Sequence, residues 1–373
     1  QIWAALNDPK KFVIAQTAPA IRAAIGEGFG KEPGEPAMTG KTVAALRRLG
    51  FDAVFDTNFG ADLTIIEESY EFLQRLEKGE NLPLITSCSP GWVKFLEHFF
   101  PEYIPNTSSC RSPMSMLSVL LKTYYADMKG LDPKDIYVVG VMPCTAKKYE
   151  CERPEHFSED GYPYTDAVIT TRELIWMIKA YGINFTMLPD DDFDNPLGVS
   201  TGAADIFGTT GGVMEAALRT AYEKITGEKL EHLEFYDVRA VEGLKEASID
   251  IAGKQINVAV ANGLHNAKEL FKRVKAGEKQ YHILEIMACP GGCVAGGGQP
   301  LPYAGDFAYP MDKEMIRKRQ QSLYAIDEHK ELRKSHDNPY IQKLYEEFLG
   351  SPGSEKAHHL LHTKYVERFP RGI

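Results

Sequence analysis

Ile136-Tyr137-Val138-Val139-Gly140-Val141-Met142-Pro143-Cys144-Thr145-Ala146-Lys147 is the stretch on which the fold turns. Its first part is apolar almost without interruption, and a proline and a cysteine stop it. An unalternating run of this kind belongs to a strand buried on both faces of a parallel sheet. Similar short runs occur at 12–17, 52–56, 84–87, 166–170, 256–261 and 282–287. Apolar residues recur at three- and four-residue spacing between them, over 40–49, 61–76, 112–128, 172–180, 213–225 and 266–274. Pro19 opens a further short helix, at 19–25. Strand–helix alternation of this sort predicts an α/β fold with helices on both sheet faces. Loop-rich stretches at 151–164 and 188–202 interrupt it, and after Pro300 charged helical pieces follow at 315–327 and 339–349.

The composition of the 373 residues is that of an ordinary globular protein, with 43% hydrophobic and 25% charged residues. It excludes collagen, coiled coil and low-complexity disorder. No run approaches the roughly 18 apolar residues of a membrane span. A net charge of −10 argues against a nucleic-acid partner. The chain is long enough to bury a core without disulfides, so its six cysteines indicate a reduced, cytoplasmic setting in which some serve as ligands or catalysts. The chain opens on Gln1, with no charged-then-apolar signal ahead of Phe12. We expect a longer natural chain.

Four of the six cysteines stand at predicted strand ends. The segments are Thr86-Ser87-Cys88-Ser89-Pro90-Gly91-Trp92, Met142-Pro143-Cys144-Thr145-Ala146-Lys147, and Glu285-Ile286-Met287-Ala288-Cys289-Pro290-Gly291-Gly292-Cys293 with Gly296-Gly297-Gly298 beyond it. Ligands of open α/β sheets bind outside the carboxyl ends of strands. Four thiolates meeting there suit a tetrahedral zinc or a [4Fe–4S] cluster. Zinc does not account for the long glycine run or for Met142 and Met287 beside the cysteines. Cys110 and Cys151 read as small buried apolar residues.

The three segments resemble the three signature motifs of the [FeFe]-hydrogenases, and the likeness extends from Phe12-Val13-Ile14-Ala15-Gln16-Thr17-Ala18-Pro19 to the C-terminal helices. The resemblance implies an H-cluster, a [4Fe–4S] cubane joined through one cysteine sulfur to a diiron subcluster bearing CO, cyanide and an azadithiolate bridge. It implies reversible proton reduction and dihydrogen oxidation. By it, Cys144, Cys289 and Cys293 ligate the cubane and Cys293 bridges to the diiron unit. Lys147 and the Ala18-Pro19 turn contact the two cyanides. Met142, Met287 and Phe207 pack the diiron pocket, with Ser112 and Met114 near the cofactor. Relatives often carry Gln at the position of Met114. The implied architecture is one catalytic domain over 1–373. It has two lobes, each a twisted, mostly parallel sheet flanked by helices, with the cluster in the cleft. The chain changes lobe near 145–205 and returns near 265–300, and 301–373 wraps the domain as a helical tail.

The first motif departs from the family. Most members have two consecutive cysteines, a proton relay followed by a cubane ligand; here the pair is Cys88-Ser89. Register makes Cys88 the relay and Ser89 the ligand. The cubane's need for a fourth thiolate favours Cys88 as the ligand and leaves Ser89 as the relay. Glu68, Glu71 and Arg75 share one helix face. The family match makes the two glutamates relay groups, with Ser108 between them and Arg75 at the surface. The implied partners are an electron carrier, a ferredoxin or an upstream or partner iron–sulfur or flavin subunit, and maturation proteins. A low-turnover sensory relative and an iron–sulfur protein without the diiron unit are the alternative readings.

Overall fold

The computed structural model describes residues 1–241, 243–301 and 312–369. The stretches 302–311 and 370–373 of the expected C-terminal wrapping segment lie outside the described residues. Among the described residues the strands are β1 (Phe12–Thr17), β2 (Ala53–Asp56), β3 (Leu84–Ile85), β4 (Ile136–Met142), β5 (Ala167–Thr170), β6 (Gly243–Ile251), β7 (Lys254–Asn262) and β8 (Ile283–Met287). They build two four-stranded sheets, ordered β2-β1-β4-β5 and β3-β8-β7-β6. The first is parallel throughout, with Ile14 opposite both Ala53 and Val138. Val13, Ala15, Val139 and Val141 enter one apolar cluster, while Ile14, Ala53, Ile136 and Val138 enter another. Both faces of this sheet are therefore buried, which is why its strands carry no polar alternation.

The second sheet is mixed. β3 and β7 flank β8 in parallel, and β6 returns antiparallel along β7. β6 has no counterpart among the runs read from the sequence. It is an edge strand whose Lys245, Glu246, Ser248 and Asp250 are partly or fully exposed, so no apolar run marks it. Its hairpin turns at Ala252 and Gly253, both at positive φ (54° and 78°), the conformation that matches strand twist in a two-residue turn. The two sheets interleave along the chain only at β3, which lies between β2 and β4 in sequence but belongs to the second sheet.

Most expected helices form, with shifted ends. The long one spans Asn58–Lys78. The stretch 112–128 divides at Thr123 (φ −123°, ψ −87°) into Pro113–Lys122 and Tyr124–Lys129. A helix at Pro90–Phe99 was not read from the sequence, although Pro90 at its first turn is a start signal. After residue 312 the chain forms Lys313–His329, then Pro339–Leu344 continued by a π-helical turn Tyr345–Leu349, then Glu355–Leu361. None of the described helices is long and apolar enough to cross a membrane. The fold aims the carboxyl ends of β1, β3, β4 and β8 at one cleft between the sheets.

Candidate metal-cluster site

Each strand that ends at the cleft delivers a short, defined turn. After β1, Ala18 donates its N–H to the Val141 carbonyl at 3.0 Å, and Pro19 opens the helix Pro19–Arg22. After β4 come Pro143, Cys144 and a short helix, Ala146–Cys151, carrying Lys147. After β3 the chain passes Cys88 and Ser89 into Pro90–Phe99. After β8 the loop bearing Cys289 and Cys293 is fixed by backbone bonds from Gly292 to Cys289 (3.0 Å), Gly296 to Cys293 (2.9 Å) and Gly298 to Pro143 (2.7 Å). The last of these ties the two cysteine loops together.

These turns enclose a cavity with about 1050 Å³ of empty space. Its walls include Ala18, Pro19, Cys88, Ser89, Met114, Met142, Cys144, Lys147, Phe207, Met287, Cys289 and Cys293. The structure thus brings the three motifs to one point. Met142, Met287 and Phe207 are almost wholly buried, and the packing around Phe207 and Met287 also takes in Ala61, Ala204 and Cys88. This side of the cavity is apolar.

Lys147 is the exception. Its Nζ donates to Glu150 Oε2 at 2.7 Å and to the Cys88 carbonyl at 3.2 Å. The other oxygen of Glu150 accepts a short hydrogen bond from Ser112, which also caps the helix Pro113–Lys122. Despite burial, Glu150 is held below its ordinary pKa, chiefly by Lys147 and then by His156. Glu150 is absent from the motif segments of the sequence; its signal is the three-residue spacing from Lys147 on one helix.

The thiols test whether iron fits. Burial pushes Cys293 up to about 12, and the Cys144 and Cys289 sulfurs beside it add to the effect. Cys144 and Cys289 are raised too, by burial first. Three thiols packed this closely resist shared ionisation until a cation occupies the space between them. Sulfur donors in a dry pocket suit an iron–sulfur cluster. Burial first, then the nearby titratable groups Glu68 and Cys293, raise the Cys88 thiol well above its ordinary value, with Lys147 opposing. Ser89 Oγ accepts from the Ala288 N–H at 3.4 Å.

A polar file leads away from Cys88. Glu68 is buried, and loss of solvent pushes its carboxyl up to about 7, with the neighbouring Ser108 hydroxyl opposing. Ser108 Oγ also donates to Glu71 Oε2 at 3.1 Å. Arg75 pairs with Glu71 at 2.5 Å and donates to the Asn81, Asn106 and Thr107 carbonyls. Glu285, quoted in the third motif without a role, lies beside this file. Its carboxylate accepts the N–H groups of Gly211 and Met214, both at 2.7 Å, and burial raises it to about 7.

The family model for the C-terminal domain of the iron-only hydrogenase large subunit matches residues 11–297, and that for the iron hydrogenase small subunit matches 313–368. The chain belongs to the iron-only hydrogenase family. It is 55% identical over 374 residues to the NADP-reducing hydrogenase subunit HndD of Solidesulfovibrio fructosivorans, covering 99% of this chain and 62% of that protein. It is 46% identical to the structure of apo [FeFe]-hydrogenase HydA1 from Chlamydomonas reinhardtii, variant C377H, at a TM-score of 0.86, covering 99% of this chain and 98% of that one. It is also 31% identical over 381 residues to cytosolic iron–sulfur assembly component 3 of Bos taurus, covering 99% of this chain and 78% of the relative. The hydrogenase family therefore accounts for both sheets, the cleft and the helices after residue 312.

Proposed function

We propose that the chain interconverts protons and dihydrogen at an H-cluster held in the cleft. The observation that carries the reading is a conjunction: cysteines from two loops, one inward lysine and a pair of methionines share a cavity from which a file of titratable groups leads outward. Cys144, Cys289 and Cys293 would hold the cubane, and Cys293, the most deeply buried of the three, would also serve the diiron unit. When bound, the H-cluster supplies the redox chemistry that exchanges two protons and two electrons for dihydrogen.

The chain's own residues do the rest. Glu150 and the Cys88 carbonyl hold Lys147 in place, so its ammonium is aimed without searching rotamers and can donate a charge-assisted hydrogen bond to a cyanide ligand. The Ala18-Pro19 turn, which lines the cavity with Met114, would contact the second cyanide, and Ser112 would act through its bond to Glu150. Met142, Met287 and Phe207 exclude water, and polarizable sulfur suits such contacts. Cys88, Glu68, Ser108 and Glu71 would pass protons in series, and Arg75, always charged, would fix Glu71 at the outer end. Glu68, the charged group acting most strongly on Cys88, supports the assignment by register, with Cys88 as relay and Ser89 in the ligand position. Electrons would come from a ferredoxin-type or other carrier, and the diiron unit from maturation proteins.

The 31% relatives named for iron–sulfur assembly suggest a protein without the diiron unit. The retained Lys147, Met142, Met287, Phe207 and relay glutamates favour the hydrogenase reading. The Cys88-Ser89 pair favours a slow, sensory variant over a fast enzyme. Infrared spectroscopy of anaerobically matured protein tests the proposal. Bands from CO and cyanide ligands are expected; a loaded cubane without those bands would overturn it.

A further inference from the structure

Cys110 is a buried thiol that the proposed reaction does not use. It stands where the relay ends. Ligand atoms of Glu71, Cys110 and His362 all lie within 4.8 Å of one another. They come from three parts of the chain: the helix Asn58–Lys78, the segment before the helix Pro113–Lys122, and the residue after the helix Glu355–Leu361. The backbone fixes them in place. Cys110 and His362 are antiparallel bridge partners, flanked by bonds from Arg111 N to Leu361 O (2.8 Å) and Thr363 N to Ser109 O (2.7 Å).

The groups around His362 are those a metal site needs. His362 Nε2 meets Glu67 Oε2 at 3.0 Å, and Glu67 is itself held by the Tyr345 hydroxyl and by the Gly353 N–H. A carboxylate on one ring nitrogen orients a ligating histidine and raises its basicity. The other nitrogen, Nδ1, meets Ser109 Oγ at 2.8 Å, and Ser109 donates its N–H to Glu71. Cys110 Sγ lies 3.8 Å from Glu71 Oε2. Glu67 and Glu68 bring further carboxyl groups to the same region, which favours a cation.

We propose that Glu71, Cys110 and His362 form a binding site for a divalent zinc ion, and that its occupancy closes the outer end of the proton relay. The donors are sulfur, imidazole nitrogen and carboxylate oxygen, the set that zinc takes in three-ligand sites with an open fourth position. Binding releases the Cys110 thiol proton to solvent and forms the zinc–sulfur bond. Glu71 Oε2, which now accepts from Ser108, passes to the metal, so the relay loses an acceptor. The site stands on its own geometry; the closure rests on the proposed relay role of Glu71.

The experiment uses matured protein, in which the cluster cysteines are occupied, and one equivalent of zinc. X-ray absorption at the zinc edge should show one sulfur at about 2.3 Å and nitrogen or oxygen donors at about 2.0–2.2 Å. Cys110→Ala should remove the sulfur shell, and either Cys110→Ala or His362→Gln should weaken zinc binding by about 100-fold or more. Zinc should stop dihydrogen turnover reversibly by chelation, with CO and cyanide bands unmoved, and should spare the Cys110→Ala protein. Zinc held without a sulfur shell, or held equally by both variants, overturns the site. Zinc held through Cys110 with turnover unchanged overturns the closure and the relay role of Glu71, while the site itself is upheld.

Discussion

At the residue scale, the chemistry depends on carboxyl groups kept where a carboxyl is costly. Glu68 is surrounded by protein, and desolvation lifts it to about 7 from 4.5. A group that titrates near neutrality can both take and give a proton at working pH. The same shift sets a stability cost. Between pH 4.5 and 7 the folded chain binds a proton at Glu68 that the unfolded chain releases, so stability falls as pH rises through that window. Glu68→Gln removes both effects. Dihydrogen turnover should fall by about 100-fold or more with the infrared bands of the cluster unchanged. The decline in denaturation midpoint between pH 4.5 and 7 should become shallower than in the parent. A variant with parental turnover would take Glu68 out of the relay.

At the element scale, the loops between strands and helices do the selecting, and they were the most legible part of the sequence. The parallel strands were readable because both faces of the first sheet are buried, so Ile136–Met142 shows no polar residue to confuse its period. The third motif was readable because its geometry demands glycine. Gly292 has φ +88°, and a Cβ there would fall 2.6 Å from Thr210 N, which only glycine avoids. What escaped notice was what burial and periodicity do not mark. β6 is an exposed edge, and the set of Glu67, Cys110, Tyr345 and His362 joins residues distant in sequence through tertiary packing. The turn from β3 into Pro90–Phe99 poses its own test. If Ser89 faces the cubane, Ser89→Cys should supply a fourth thiolate and raise the iron retained per chain after dilution or mild chelation. Unchanged iron retention in that variant would return the fourth corner to Cys88.

At the scale of the whole molecule, one buried side chain of the helices after residue 312 ties several parts of the site together. Arg319 is 1% exposed and binds both oxygens of Glu27, at 2.7 and 2.5 Å. Its remaining N–H groups donate to the Val294 carbonyl at 2.7 Å and the Pro300 carbonyl at 2.9 Å. The helix Lys313–His329 thereby clamps the turn that begins at Cys293 to the segment Ile25–Phe29, which continues from the Ala18-Pro19 turn. A second buried pair, Arg219 with Asp327 at 2.9 Å, anchors the end of the same helix. Removing one member of a buried ion pair strands the other without solvent and costs about 3–5 kcal/mol. Arg319→Met should therefore lower the denaturation midpoint and also speed loss of iron, because the Cys293 turn loses its Arg319 tether and keeps only the bond from Gln320 to the Gly291 carbonyl at 3.1 Å. Adding Glu27→Gln removes the stranded charge, so the double variant should regain part of the midpoint. Its iron loss should stay fast, since the Val294 and Pro300 carbonyls still have no donor. If the double variant recovered iron retention along with stability, the helix would be stabilising the fold without holding the cluster loop.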